Sequence, residues 1–179
     1  LRHDPDVMMV GEVRDLETAE ICIRSALTGH LVLSTLHTND APSAVGRLMD
    51  IGVEPYLLTP SLLIIIAQRL VRVLCPSCKE AYEPTEKELG GIKLKSELIY
   101  RPKGCSECGQ MGYKGRTLIA EVMPITGQIK ELISQRASFQ KVREVARAEG
   151  MHTLYEAGLM KVEQGITSLE EVLSVTLGI

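Results

Sequence analysis

The chain has 179 residues, of which 45% are hydrophobic and 24% charged, and its formal net charge is −3. This length and composition predict a globular protein with a sizeable core, and the negative charge argues against a general nucleic-acid binder. The longest apolar run, residues 62–67, is far too short to cross a bilayer as a helix, and no signal-peptide pattern is recognisable. We therefore expect a cytosolic protein that does not itself span a membrane.

The first predicted element is a strand, formed by the apolar run Val7–Val10. A short apolar run bounded by polar residues indicates a strand buried on both faces, as in a parallel sheet covered by helices. Gly11 permits a sharp turn, and Glu12 then stands at the carboxyl end of the strand, where open α/β sheets place their ligands. A carboxylate there can hold Mg²⁺ and polarise an attacking water. The alternative interpretation is a solvated surface charge.

A helix over residues 16–28, with Asp15 as its cap, and a second strand over residues 31–36 follow. This order predicts a βαβ unit with parallel strands, which would bring Glu12 and His37 to the same edge of the sheet. Arg14 follows Glu12 closely and can reach a phosphate or a neighbouring acid, although a surface charge explains it equally well.

Further helices and strands are predicted downstream. Asp40 is expected to cap a helix that Gly52 ends. Residues 62–67 are all apolar. We therefore expect a buried helix that starts at Thr59 and Pro60 and continues through residues 62–67. Residues 70–74 and residues 115–123 predict two strands that pair with each other.

Four of the five cysteines occur as two C-x-x-C pairs, a spacing that points both sulfurs of a pair at one metal. Four thiolates predict a closed tetrahedral Zn²⁺ site of structural type, which stabilises a small insert that has little hydrophobic core. Tyr82 and Tyr100 are the only aromatic residues between the pairs, so no stacking platform for nucleic acid is evident. The predicted ligands are Cys75, Cys78, Cys105 and Cys108. The fifth, Cys22, is interpreted as a small buried hydrophobe.

The last third of the chain predicts short amphipathic helices with clear caps. Ser138 and Thr153 are expected to cap two of them, and Ser168 with Glu171 forms a capping-box pattern before a third. Together they predict a small carboxyl-terminal helical bundle with no catalytic residue.

These motifs together resemble the ATPases that drive type II secretion and type IV pilus assembly. Residues 4–15 resemble their Walker B segment and residues 30–40 their histidine box, and the likeness continues through residues 67–72, the four cysteines and residues 112–116.

The resemblance implies an α/β fold in three segments. A RecA-like P-loop NTPase core segment occupies residues 1–74, a zinc-binding insert residues 75–112, and a returning strand with a helical subdomain residues 113–179.

The resemblance also implies roles and partners. Glu12 and His37 are the implied catalytic residues, and Glu12, Arg14 and His37 are the implied contacts of ATP and Mg²⁺, whereas His30 is expected to support its strand end. The implied assembly is a homo-hexamer, associated peripherally with the inner membrane through the platform and cytoplasmic proteins of the secretion or pilus machine, without nucleic acid.

The phosphate-loop pattern G-x-x-x-x-G-K-[ST] does not occur in the sequence. The resemblance therefore predicts that an amino-terminal part carrying this loop and an aspartate box is absent here, and that this chain alone does not hydrolyse ATP. Retraction-type relatives usually lack the four-cysteine insert, which favours pilus assembly or secretion. Two alternatives are a zinc-bearing nucleic-acid-binding module of a RecA-like helicase and a non-enzymatic adaptor.

Overall fold

The computed structural model describes residues 5–177, so Asp4, the first residue of the Walker B resemblance, lies outside the described residues. No helix within this range is long and apolar enough to cross a bilayer. The elements are, in chain order, β1 (Val7–Val10), α1 (Leu16–Leu27), β2 (Leu31–Ser34), α2 (Ala41–Asp50), α3 (Pro55–Ser61), β3 (Ile64–Leu74), β4 (Glu80–Tyr82), α4 (Glu86–Leu89), β5 (Ile99–Arg101), a 3₁₀ turn (Ser106–Cys108), β6 (Tyr113–Pro124), α5 (Gly127–Ser134), α6 (Phe139–Ala148), α7 (Leu154–Glu163) and α8 (Leu169–Leu177).

The described residues divide into two compact units, each with its own core. The first comprises residues 5–67 and Val122–Met151, and the second comprises Gln68–Glu121 and residues 152–177. The three segments predicted from the sequence have other boundaries than these two units, and they stay a prediction.

The first unit begins with the predicted βαβ arrangement. Strands β1 and β2 are parallel, in a register that pairs Val7 with Leu31 and Val10 with Ser34. Helix α1 connects them, and the Asp15 carboxylate accepts the N–H of Thr18 at 2.8 Å, which satisfies one of the free donors of the first turn. The parallel pair and the Asp15 cap are confirmed.

Strand β1 is not buried on both faces, so that prediction is wrong. Among residues 5–177, β1 and β2 form a two-stranded sheet whose exposed apolar side chains include Val7, Met9, Leu31 and Leu33. The apolar run indicated the strand correctly. The burial of a strand's second face, however, depends on whether another layer covers the sheet, which the run does not determine.

The helix predicted over residues 62–67 is also wrong. Helix α3 ends at Ser61, and strand β3 begins at Ile64. Ile65 is partly buried against the core of the first unit, whereas its neighbours Ile64 and Ile66 are exposed, which is the two-residue alternation of a strand. Three consecutive β-branched residues favour that extended conformation.

The core of the first unit joins α1, α2 and α3 to α5 and α6. Its fully buried side chains include Val45, Leu58, Ile129, Ile133 and Val142. Caps define the helix starts as predicted, because the Asp40 carboxylate accepts the N–H of Ser43 and the Ser138 hydroxyl accepts the N–H of Lys141.

The second unit combines the cysteine-bearing insert with α7 and α8. Strands β4 and β5 are antiparallel, and β3 is hydrogen-bonded to β6, which confirms the predicted pairing. Ile99 of β5 packs with Val162, Leu169 and Val172 of the two helices. Helix α5 packs against α6 in the first unit and α7 packs against α8 in the second, and the single helical bundle stays a prediction.

The predicted capping box at Ser168 forms only in part. The Ser168 hydroxyl accepts the N–H of Glu171 at 3.2 Å, as expected. The Glu171 carboxylate instead accepts hydrogen bonds from the backbone N–H of Arg72 at 2.9 Å and from its guanidinium, whose Nε lies at 2.7 Å. The guanidinium also lies 4.1 Å from the ring centre of Tyr113, whose hydroxyl is 2.7 Å from that of Ser168. Helix α8 is thus tied to β3 and β6 by a connected polar network.

Candidate functional site

The carboxyl ends of β1 and β2 are joined by hydrogen bonds beyond the last paired residues. The Val13 N–H donates to the Thr35 carbonyl at 3.0 Å, and the Thr35 hydroxyl donates to the Gly11 carbonyl at 2.6 Å. These bonds hold the two turns that follow the strands side by side. Glu12 projects from the first turn and His37 from the second.

Glu12 and His37 contact each other at this edge of the sheet. The Glu12 Oε1 lies 3.1 Å from the His37 Nε2, and its Oε2 accepts hydrogen bonds from Arg14 at 2.6 Å. Only 18% of the Glu12 side chain is exposed, compared with 89% of His37. The predicted proximity of the acid and the imidazole is therefore observed, and Arg14 belongs to the same cluster. The chemical roles of these three residues stay predictions.

This arrangement has the chemistry of a site for a charged ligand. A carboxylate at a solvent-facing strand end is a ligand that Mg²⁺ accepts, directly or through water. An exposed imidazole and an exposed guanidinium beside it offer donors to phosphate oxygens. Because Arg14 and His37 are largely exposed, water can solvate both side chains when their contacts with Glu12 are exchanged for ligand contacts.

His30 lies at the opposite end of β2 and contacts the end of α1. Its Nδ1 is 3.0 Å from the Ser25 carbonyl and 3.2 Å from the Thr28 hydroxyl. These contacts satisfy groups at the helix carboxyl terminus, and the expected support of the strand end stays a prediction.

The loop after His37 is fixed through Asp40, which contacts one residue nearby and one distant in sequence. The Asp40 Oδ1 caps α2 through Ser43, and its Oδ2 accepts a hydrogen bond of 2.5 Å from the Arg143 guanidinium on α6. Sequence reasoning singled out Asp40 as a cap but missed Arg143 and the Thr35 hydroxyl. No local pattern indicates either contact, since the partners lie 103 and 24 residues apart.

The second unit brings all four predicted metal ligands together. Neighbouring sulfurs lie 3.7 Å (Cys105 to Cys108), 3.8 Å (Cys78 to Cys108) and 3.9 Å (Cys75 to Cys105) apart, and all four lie within 4.8 Å of one another. A zinc–sulfur bond of about 2.3 Å in a tetrahedron gives a sulfur–sulfur edge of about 3.8 Å. All four cysteines are free thiols, and these separations far exceed a disulfide bond of about 2.05 Å. The cluster therefore fits a Zn²⁺ ion.

The backbone around the cysteines favours thiolates. Burial opposes ionisation of Cys108, yet the backbone N–H groups of Cys105 and Gly112 lower the pKa of this thiol to about 6. Burial and hydrogen bonds with the neighbouring thiols raise the pKa of Cys78 to about 12. A divalent cation would remove the difference, because its charge deprotonates coordinating thiols.

Comparison with known proteins places the site in context. The family model described as Type II/IV secretion system protein matches residues 1–174. Over 98% of its length the chain is 53% identical to the Type II secretion system ATPase E of Vibrio cholerae and 48% identical to the Type IV pilus assembly ATPase PilB of Myxococcus xanthus. The chain spans 35% and 32% of those two proteins, so it corresponds to about a third of each.

Solved structures show the same fold. The crystal structure of the pilus retraction motor PilT with bound ADP superposes with a TM-score of 0.66 over 97% of this chain and 40% of that one, at 29% identity. The ATPase DotB of Legionella pneumophila superposes with a TM-score of 0.66 over 99% of this chain and 40% of that one, at 21% identity. The α/β fold seen here is thus similar to the folds of these ATPases.

Proposed function

Because this chain belongs to the family of type II/IV secretion system proteins, we propose that it is the carboxyl-terminal part of an ATPase that powers type II protein secretion or type IV pilus assembly. Relatives of similar identity carry either name, so the proposal covers both machines. Within the molecule, the contact between Glu12 and His37 at the ends of two parallel strands carries the proposal.

In this proposal Glu12 is the catalytic carboxylate. It holds Mg²⁺, directly or through water, and orders the attacking water molecule. His37 contacts the γ-phosphate, for which its exposed imidazole is available, and Arg14 adds a positive charge beside it. Mg²⁺ supplies charge neutralisation at the phosphates.

Strands β1 and β2 with α1 form part of a RecA-like core that the longer protein completes. Since the phosphate-loop pattern does not occur in this sequence, the cradle of backbone N–H groups and the lysine for the phosphates would come from residues outside it. The 179-residue chain alone is then expected to lack ATPase activity, and robust hydrolysis by it would contradict this assignment.

The four cysteines hold a structural Zn²⁺ that shapes the insert. With four protein ligands no coordination position is left for a water, so the metal takes no part in hydrolysis. The longer protein would act as a homo-hexamer at the cytoplasmic side of the inner membrane, bound to the platform and cytoplasmic proteins of its machine.

The central test uses the longer protein that contains this chain. Glu12→Gln should lower ATP turnover by at least about a hundredfold, because the amide neither holds Mg²⁺ nor orders water as a carboxylate does. The oligomer, measured by size-exclusion chromatography with light scattering, should be unchanged.

The matched control is Glu17→Gln, which neutralises an acid on the first turn of α1 in the same unit. Near-normal turnover by Glu12→Gln, or an equal loss in both variants, would refute the role of Glu12.

The nucleic-acid alternative finds little support in the insert. The two aromatic rings there have cations of the same unit above them, Arg101 at 5.2 Å from Tyr82 and Lys79 at 4.5 Å from Tyr100. Bases would have to displace these cations in order to stack on those faces. Salt-dependent DNA binding would revive this alternative, and failure of the longer protein to bind nucleotide would favour the adaptor.

A further inference from the structure

The His37 loop, defined here as residues 35–40 between β2 and α2, is held at both of its ends. At the first end, Thr35 bonds to Gly11 and Val13 on the turn that carries Glu12. At the second end, Asp40 uses both carboxylate oxygens, one for the N–H of Ser43 and one for Arg143. The His37 side chain is almost fully exposed, so little packing fixes it, and these two anchors help to set its position beside Glu12.

Arg143 is the only one of these anchors that comes from a distant helix. Its hydrogen bond to Asp40 links the loop to α6, and both side chains of the pair are partly buried. Partial burial limits screening by water, so this pair should be more persistent than the surface pairs of the same unit.

Helix α6 packs closely against α2. Val142 and Ala146 on its inner face are buried in the core of the unit. Phe139, one turn before Arg143 on the same face, lies so close to Gly46 of α2 that a Cβ on this glycine would be 2.1 Å from the ring. The Arg143 guanidinium is therefore presented to Asp40 by a helix whose own position is constrained.

We propose that Arg143 is a positioning residue for His37: by holding Asp40, it fixes the His37 loop against Glu12, so that the seating of α6 on α2 sets the geometry of the phosphate-contacting site. This inference rests on the proposed function for its effect on catalysis. It adds that a residue of the carboxyl-terminal helices, with no contact to the reacting groups, tunes hydrolysis. A shift of about 1 Å at a catalytic group can lower the rate by up to a hundredfold, so loss of one anchor is sufficient.

The kinetic test uses the longer protein with Arg143→Gln. We expect kcat to fall by at least about tenfold while KM for ATP stays within about twofold, because the placement of His37 at the γ-phosphate should matter more in the transition state than in the binding of ATP. Arg143→Lys, which keeps the charge, should recover a large part of the loss. Asp40→Asn keeps an oxygen for the α2 cap but loses the charge, so it should reproduce the defect without unfolding the helix.

The matched control is Lys141→Gln. Lys141 lies on the same helix and pairs at 3.4 Å with Glu144 instead of Asp40, so its removal should leave kcat unchanged. Equal defects in Lys141→Gln and Arg143→Gln would overturn the proposal.

A double-mutant cycle with His37→Ala tests whether Arg143 acts through His37. If it does, Arg143→Gln should have no further effect on kcat in the His37→Ala background. Losses that multiply fully would show that Arg143 acts independently of His37 and would overturn the proposal.

A measurement independent of activity separates this inference from the proposed function. Histidine ring resonances of the 179-residue chain, which has four histidines, can be recorded by NMR, with His37 assigned from its alanine variant. The His37 resonances should move in Arg143→Gln and not in Lys141→Gln, and unchanged resonances would overturn the positioning role. If they move while His37→Ala leaves turnover normal, the positioning stands and the phosphate role of His37 fails.

Discussion

Removal of the Glu171 carboxylate should destabilise the second unit. Glu171 is 7% exposed and accepts hydrogen bonds from the backbone N–H and the guanidinium of Arg72, whose side chain is 53% exposed. In the variant Glu171→Ala the backbone N–H of Arg72 loses its partner in a part-buried position, whereas the guanidinium can regain water. The two losses therefore differ in size.

The magnitude follows from these two contributions. A backbone N–H that loses its partner where water has limited access, as at the part-buried N–H of Arg72, costs about 1–3 kcal/mol. The ion pair adds only about 0–1 kcal/mol, because the half-exposed guanidinium is screened by solvent. We expect a loss of about 2–3 kcal/mol in the free energy of unfolding. For a unit of this size, that corresponds to a decrease in Tm of about 8–24 °C.

Tyrosine fluorescence provides the assay. The chain has five tyrosines and no tryptophan, and Tyr82, Tyr100, Tyr113 and Tyr155 all lie in the second unit. Thermal unfolding of the zinc-loaded chain would therefore report mainly on this unit.

The control for this assay is Glu170→Ala, which removes an exposed carboxylate from the same turn of α8. It should change the Tm by only a few degrees. A similar shift in both variants, or a loss below about 0.5 kcal/mol in Glu171→Ala, would refute the argument from the buried N–H.

Three further predictions concern metal, pH and backbone. Elemental analysis should detect stoichiometric zinc in the parent chain and in Cys22→Ser but not in Cys108→Ser; retention by both variants would contradict a four-sulfur site. Burial alone raises the pKa of Glu171, but the hydrogen bonds and charge of Arg72 lower it overall from its ordinary value of 4.5. The stability advantage of the parent chain over Glu171→Ala should therefore be complete above pH 4.5 and decline as the pH falls below it, in urea titrations across that range. Gly104 has φ +99°, and a Cβ there would lie 2.6 Å from a backbone oxygen. Gly104→Ala should therefore lower the free energy of unfolding by about 2–4 kcal/mol. Gly127→Ala, where a Cβ would meet no atom within 4 Å, should be neutral or stabilising.

Local signals predicted the parts of the fold that local interactions determine. Asp15, Asp40, Ser138 and Thr153 each accept a backbone N–H within the next three residues, so their caps could be identified from a few letters of sequence. The alternation of strand, helix and strand up to His37 was equally local, and it was sufficient to place Glu12 beside His37.

The errors arose where distant partners decide the outcome. Residues 62–67 are apolar in every position, so hydrophobicity alone does not distinguish a buried helix from a strand, whereas the run of β-branched residues favours β3. Glu171 had a plausible local partner in the Ser168 turn, but Arg72, 99 residues away, offered a guanidinium as well as an N–H. Arg143 binds Asp40 across 103 residues, and no single-sequence pattern predicts such a pair.

The all-sulfur composition of the cysteine cluster separates it chemically from the oxygen chemistry expected at Glu12. Soft thiolates select zinc or cadmium and reject magnesium, whereas a carboxylate prefers the hard ion. Magnesium could thus be varied over a wide concentration range in turnover assays without displacing the metal of the insert. Replacement of zinc by cadmium-113 would then provide a spectroscopic label inside the second unit that is insensitive to the nucleotide's own cation.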